Sequence, residues 1–303
     1  MNVRSSASVV VALLALLALG GCARKEAPAS SAAAPIAFAA PDPFAESMWD
    51  DGRAEFAVYR GTIERYGITR PLAAKLILVK EDFDTAAGVK SDAGPVEGRT
   101  RTVFKVVTML EFPTGTYSYR QVATTFLDRE TGALTKLAMS STEACGITYV
   151  QVTSRAGAWR HLSHSYFEGE GDRDLTLPLR ADRAAVAADG LALWLRRLDL
   201  AKAQSIAVDL LPSQLSSRVC ATALVPATIE VVGVADTLGW PVLVKSVDAS
   251  GAPVVDRWWF DRAAPHGLVR FEGADSRTLE RTQVLRLAYW EATKPGDGRL
   301  LAP

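Results

Sequence analysis

From Ala54 to Trp290 the chain alternates apolar and polar residues at period two, in short runs broken by Gly, Pro and Asp. AEFAVYRGTIERYG, AKLILVKEDF, TVFKVVTMLEF, YSYRQVATTFLD, LTKLAMSS, ITYVQVTS and WRHLSHSYFEGE follow one another, separated by breaks such as FPTGTY and DRETGAL. Such alternation places apolar side chains on one face of a strand, and turn chemistry between the runs signals hairpins. Further strands are expected at SIAVDLL, RVCATALV, TIEVVGVAD, PVLVKSVD, PVVDRWWFD, GLVRFEG and TQVLRLAYWE, with turns at DASGAPV and DRAAPHG. The crossover helices that a parallel sheet requires are missing. The pattern predicts a mainly β fold, a large curved antiparallel sheet built from two consecutive halves.

One segment breaks the period. In RADRAAVAADGLALWLRRLDLAK, from Arg180, the residues Leu191, Trp194, Leu195 and Leu198 recur at helical spacing, with Arg196 and Arg197 facing away. This predicts one principal helix of about 12–18 residues packed against the sheet, with Gly190 either interrupting it or opening its second half.

The N-terminal residues read differently. Arg4 precedes an apolar run from Val9 to Leu19, shorter than the roughly 20 residues that span a bilayer. A basic start and a short apolar core make a secretory signal, residues 1–21. The small residues of Leu19-Gly20-Gly21 directly before Cys22 resemble a bacterial lipobox, in which Cys22 is lipidated and becomes the mature N-terminus. Residues 22–47, rich in Ala, Pro and Ser, read as a flexible tether that cannot bury enough apolar area to order itself. A β-rich domain is expected over 48–293 and a tail over 294–303. Ala23 after the cysteine, rather than Asp, resembles sorting to the outer membrane. The expectation is therefore a cell-envelope lipoprotein facing the periplasm, with the membrane as a partner through its N-terminal lipid.

Charge excludes one class of partner. The 303 residues carry 34 basic and 34 acidic side chains with no basic block, so no nucleic-acid surface is expected. With Cys22 lipidated, Cys145 and Cys220 remain, and they are read either as a disulfide in an oxidising compartment or as two separate buried thiols.

Candidate chemistry is sparse. Of the three histidines, His161 and His164 fall on opposite faces of a strand, which disfavours a shared metal site, and His266 lies in a turn. Neither a G-x-S-x-G elbow nor a P-loop nor a dinucleotide fingerprint is present. Cys145 has no base beside it in sequence. EGEGDRD spaces Glu168, Glu170, Asp172 and Asp174 at every second residue but lacks the closing Glu of a calcium loop, and reads as a solvated turn. No catalytic residue, metal or cofactor is expected. The aromatic residues admit two readings: plain sheet packing, or an apolar concavity between sheet and helix lined by Trp194, Trp258, Trp259 and Phe260.

MWDDGRAEFAVYRGTIERYG, the A-x-L-I-L-V-x-E-D-F run, EFPTGTYSYRQVATTF, EACGITYVQV and HSYFEGEGD resemble an uncharacterised family of bacterial lipoproteins. ADGLALWLRRLDL and RWWFDRAAPHGLVRFEG resemble periplasmic proteins similar to lipoprotein carriers. The resemblance implies an incomplete barrel partly closed by helix, and carries over no catalytic residue. Some relatives bear the label septum formation inhibitor Maf, but the S-x-S-P-R-R phosphate-binding motif of Maf pyrophosphatases is absent. The function expected is a non-enzymatic binding or structural module, with an apolar ligand such as a lipid as its cargo. The alternative is a periplasmic hydrolase using Cys145 or a carboxylate site, which requires Cys145, Glu143, His161 and His164 to converge in an open cleft.

Overall fold

The period-two runs become sixteen strands in one sheet in the computed structural model, which describes residues 36–298. In chain order they are β1 (Ala54–Arg65), β2 (Ile68–Asp84), β3 (Val89–Lys90), β4 (Thr100–Pro113), β5 (Ser118–Asp128), β6 (Leu134–Glu143), β7 (Gly146–Arg155) and β8 (Ala158–Ser165). Then come β9 (Arg173–Pro178), β10 (Ala184–Ala187), β11 (Gln204–Leu211), β12 (Val225–Val231), β13 (Trp240–Val247), β14 (Pro253–Phe260), β15 (Leu268–Glu272) and β16 (Thr278–Leu287). Their spatial order is β10 to β16, then β1, β2, β4 and on to β9, with β3 paired to β2. All neighbours are antiparallel except the short β10–β11 pair. The two consecutive halves meet where β1 pairs with β16, Ala54 opposite Leu287 and Thr62 opposite Thr278. The edges β9 and β10 do not pair with each other, so the curved sheet stays open.

Alternation sends one side chain of each pair to the concave face, where Tyr59, Leu78, Phe104, Leu137, Val150 and Val244 belong to one large core. The first half of β1 is buried on both faces. Its outward Phe56 and Val58 form a second cluster with Ile77 and Val79, and Tyr289 covers Phe56 edge-on at 6.0 Å.

The expected principal helix is shorter and differently placed. Residues 184–187 form strand β10, and only Ala188–Arg197 are helical, as two single 3-10 turns around one α-turn, Leu191–Trp194. Leu191, Leu193, Leu195 and Leu198 are all fully buried, so the segment is buried all round and plugs the concave face. Arg196 and Arg197 do not face solvent, correcting the amphipathic reading. Arg196 is 1 % exposed and donates to both carboxylate oxygens of Glu55, at 3.0 and 2.8 Å. Arg197 donates to Asp42, at 2.5 Å. Each buried guanidinium is matched by a carboxylate and its stem packs with the core.

The last part of the expected tether, residues 36–47, is ordered instead. The Ala39 N–H donates to the Arg197 carbonyl at 2.7 Å, and that of Asp199 to Ala37 at 3.0 Å. Two 3-10 turns follow, Pro43–Ala45 and Ser47–Asp50, the first capped by Asp42. Phe44 and Trp49, 1 % and 2 % exposed, pack edge-on against Phe104 at 4.8 and 5.1 Å. Aromatic anchors supply the burial that the Ala/Pro/Ser composition lacks, and residues 36–47 are an ordered strap. The signal at 1–21, Cys22, the tether from 22 to 35 and the tail beyond 298 lie outside the described residues. RVCATALV is not a strand: residues 212–224 form the loop between β11 and β12.

Candidate ligand-binding cleft

Antiparallel topology gathers the β1–β2, β4–β5, β6–β7, β8–β9, β13–β14 and β15–β16 turns and the 212–224 loop at one end. The loop is held there by side chains of the inner wall. Thr148 Oγ1 donates to the Ser217 carbonyl at 2.7 Å, and the Ser217 hydroxyl donates to Glu143 at 2.7 Å. The Val219 N–H donates to Glu170 at 3.0 Å. The Ser213 hydroxyl and the Gln214 N–H donate to Asp189 at 2.6 and 2.8 Å.

Below this loop lie two adjoining spaces. An open mouth of about 780 Å³ is bordered by Arg65, Ser217, Cys220, Asp248 and Asp275. An inner slot of about 70 Å³ is walled by Leu76, Leu110, Trp258, Leu268, Phe271 and Leu279. Ala188, Ser213, Leu215, Asp256 and Arg277 border both, a shared rim, the throat, between the wide mouth and the apolar slot. Arg277 Nε donates to Asp275 at 2.5 Å. Asp256 accepts the Ala274 N–H at 2.8 Å. Burial pushes the carboxyl pKa of Asp256 up, and does the same at Asp189 against the opposing hydrogen bonds of Ser213 and Gln214. Trp258 packs on Phe271 with ring centroids 4.5 Å apart, and its indole N–H has no hydrogen-bond partner.

Of the four expected pocket residues, only Trp258 lines this cleft. Strand alternation turns Trp259 to the convex face, where its N–H donates to Asp236 at 2.9 Å. Phe260 faces inward but is fully buried in core. Trp194 lies at the opposite end of the sheet, edge-on to Phe38 at 6.4 Å. The wide aromatic concavity does not form, because the helical plug fills it. Asp189, Ser213 and Arg277 were not singled out in the sequence. Asp256 was legible in principle, two residues before Trp258 and therefore on its face.

Cys145 and Cys220 are not bridged, and both are exposed rather than buried. Cys145 lies 3.4 Å from the Tyr119 hydroxyl and 3.6 Å from Glu143. Cys220 donates to the Ser213 carbonyl at 3.1 Å, and its crowded surroundings push its thiol up to about 11. The groups required for a cysteine hydrolase do not converge. His161 is buried against Gln214 at 3.4 Å, with burial pushing its pKa down. His164 is on the opposite face, paired with Asp172 at 3.0 Å. In the EGEGDRD turn, Glu170 pairs with Arg218, Asp172 with His164 and Asp174 with Arg160. Among the described residues no cluster of His, Cys, Asp and Glu suits a metal ion.

An open, curved antiparallel sheet with a helical plug and a cleft at one end defines a barrel-like β protein. No family model matches the chain, and no curated protein matches it. Among solved structures, a beta-barrel-like protein of domain of unknown function DUF1849 from Brucella abortus aligns at 14% identity and a TM-score of 0.42, over 77% of this chain and 98% of that one. None of these comparisons carries a lipoprotein or Maf label.

Proposed function

We propose that the chain is a non-enzymatic binding module of the cell envelope, exported by residues 1–21, held at the outer membrane by lipid on Cys22 and opening its cleft to the periplasm. The observation that supports binding is that an apolar slot and a wide mouth adjoin across one rim, with Asp256 and Arg277 in it. A void sealed in a core is a packing defect. An apolar slot beside an open mouth, with a few convergent polar groups at their shared rim, has the make-up of a ligand site.

The slot also limits the cargo. One water occupies roughly 10–15 Å³ on the same measure, so about 70 Å³ takes a group of a few carbons and not an acyl chain. The ligand is a small molecule with an apolar end in the slot and a polar end in the mouth. Native mass spectrometry of the purified protein, with and without organic extraction, tests this. The expected result is a small bound mass that is lost on extraction and absent from Trp258→Ala. A phospholipid-sized adduct, or none in any preparation, overturns it.

A further inference from the structure

The ligand's charge follows from the throat, provided the cleft is a ligand site. Arg277 is already neutralised by Asp275, which accepts from its Nε and Nη2. Asp189 accepts only from neutral donors, the Ser213 hydroxyl and the Gln214 N–H. Asp256 accepts only the Ala274 N–H. No cationic side chain forms an ion pair with either carboxylate among the described residues, although both border the slot. Two other cations lie nearby. Lys75 sits between the inward-facing Ala74 and Leu76, at a position that alternates away from the concave face. Arg65 lies over the rings of Tyr66 and Tyr119, at 4.7 and 5.4 Å. A buried carboxylate without a counter-charge is costly, and a bound cation offsets that cost.

A second, independent feature lies at the slot's inner end. Trp258 is 7 % exposed, lines the slot, and its indole N–H has no acceptor. Buried donors are nearly always satisfied, so the slot offers a hydrogen bond that nothing in the protein accepts.

We propose that the cleft binds a small primary amine, its ammonium group held by Asp189 and Asp256 and its apolar end carrying an oxygen that accepts from the Trp258 indole. The carboxylates supply charge, the slot admits a short chain, and the indole selects for an acceptor within it.

Indole cross-peaks of the ¹⁵N-labelled full chain in detergent give the readout. There are seven tryptophans, and Trp258→Phe identifies the relevant peak by its loss. Four probes share one skeleton: 3-methoxypropylamine, pentylamine with the ether oxygen replaced by methylene, the anion 4-methoxybutanoate, and the neutral 1-methoxybutane. The methoxy amine is expected to move the Trp258 peak saturably and pentylamine to bind several-fold more weakly. The anion and the neutral ether are expected to give no saturable shift. Asp256→Asn should weaken the methoxy amine by about tenfold or more, as loss of a charged hydrogen bond does, without lowering the thermal midpoint. Asp189→Asn serves as the second variant should the first not fold. Equal or tighter binding of 4-methoxybutanoate or 1-methoxybutane, or unchanged affinity in the Asn variants, overturns the amine and leaves the binding module standing. No shift with any of the four probes overturns both.

Discussion

At the scale of single residues, the most consequential pair is Glu55 with Arg196, a bidentate ion pair inside the apolar core. Desolvation opposes such a pair, so its net contribution is small, but removing one partner strands the other charge. Glu55→Gln is expected to cost roughly 3–5 kcal/mol, whereas Glu55→Leu with Arg196→Met is expected to be about neutral or stabilising. Urea unfolding of both variants measures this, and a single-variant loss under about 1 kcal/mol would show the pair to be solvated. Asp256 has the opposite sign. An unfolded Asp loses its proton near pH 3.9, while burial makes the folded carboxyl hold its proton to higher pH. Between those values the folded state binds more protons, so this group's contribution falls as pH rises and stays lost above the window. Asp256→Asn should therefore exceed wild type in stability at neutral pH, with the gap closing as pH falls toward 4. Asp50 acts in reverse: hydrogen bonds from Arg129 and then Lys80 hold its carboxyl far below the usual range, and its contribution is lost in acid. The difference between variant and wild type isolates Asp256, and a gap that is constant with pH would contradict the assignment.

At the scale of elements, β1 and β16 approach so closely that side chains decide whether they pair. A Cβ on Gly61 falls 1.7 Å from the Thr278 carbonyl oxygen and 2.5 Å from its carbon, neither of which can swing aside as a side-chain tip can. Gly61→Ala is expected to destabilise by at least the upper end of the roughly 1–3 kcal/mol of ordinary overpacking. It should also raise amide exchange along both strands. Unchanged thermal unfolding would mean that the junction of the two halves is looser than it looks. The strands were legible because alternation is local, and alternation along DRWWFD puts its two tryptophans on opposite faces without telling which faces in. The helix was misread because the partners of Arg196 and Arg197 lie 141 and 155 residues away, and a charge without a local partner reads as solvated. The 212–224 loop was misread because its backbone is satisfied by Thr148, Asp189 and Glu170 from distant elements. The candidate site suffers the same limit: Asp189, Ser213 and Arg277 come from the plug, the 212–224 loop and the β15–β16 turn, and meet only once the second half has folded.

At the scale of the whole molecule, the proposed anchor is separate in sequence from the folded sheet. No helix among the described residues is long and apolar enough to cross a membrane, and the lipid proposed on Cys22 precedes the ordered strap that begins at residue 36. Cys22→Ser is therefore expected to leave the fold and the cleft unchanged while releasing the protein from membranes or leaving it unprocessed. Fractionation and precursor size check this, and an unaltered membrane pool in that variant would remove the lipoprotein reading.

The β1–β16 junction also sets an order of events. Thr282 reaches the Val58 carbonyl across 224 residues of chain, so the middle of the sheet is built from its two most distant strands. The outer strands of each half can zip up from local hairpins, but the seam waits for every strand from β1 to β16, and contacts of such separation form slowly. A nascent chain lacking β16 has no partner for the inner edge of β1 and no complete wall around the slot. Such a polypeptide remains open along its middle until β16 arrives to close it.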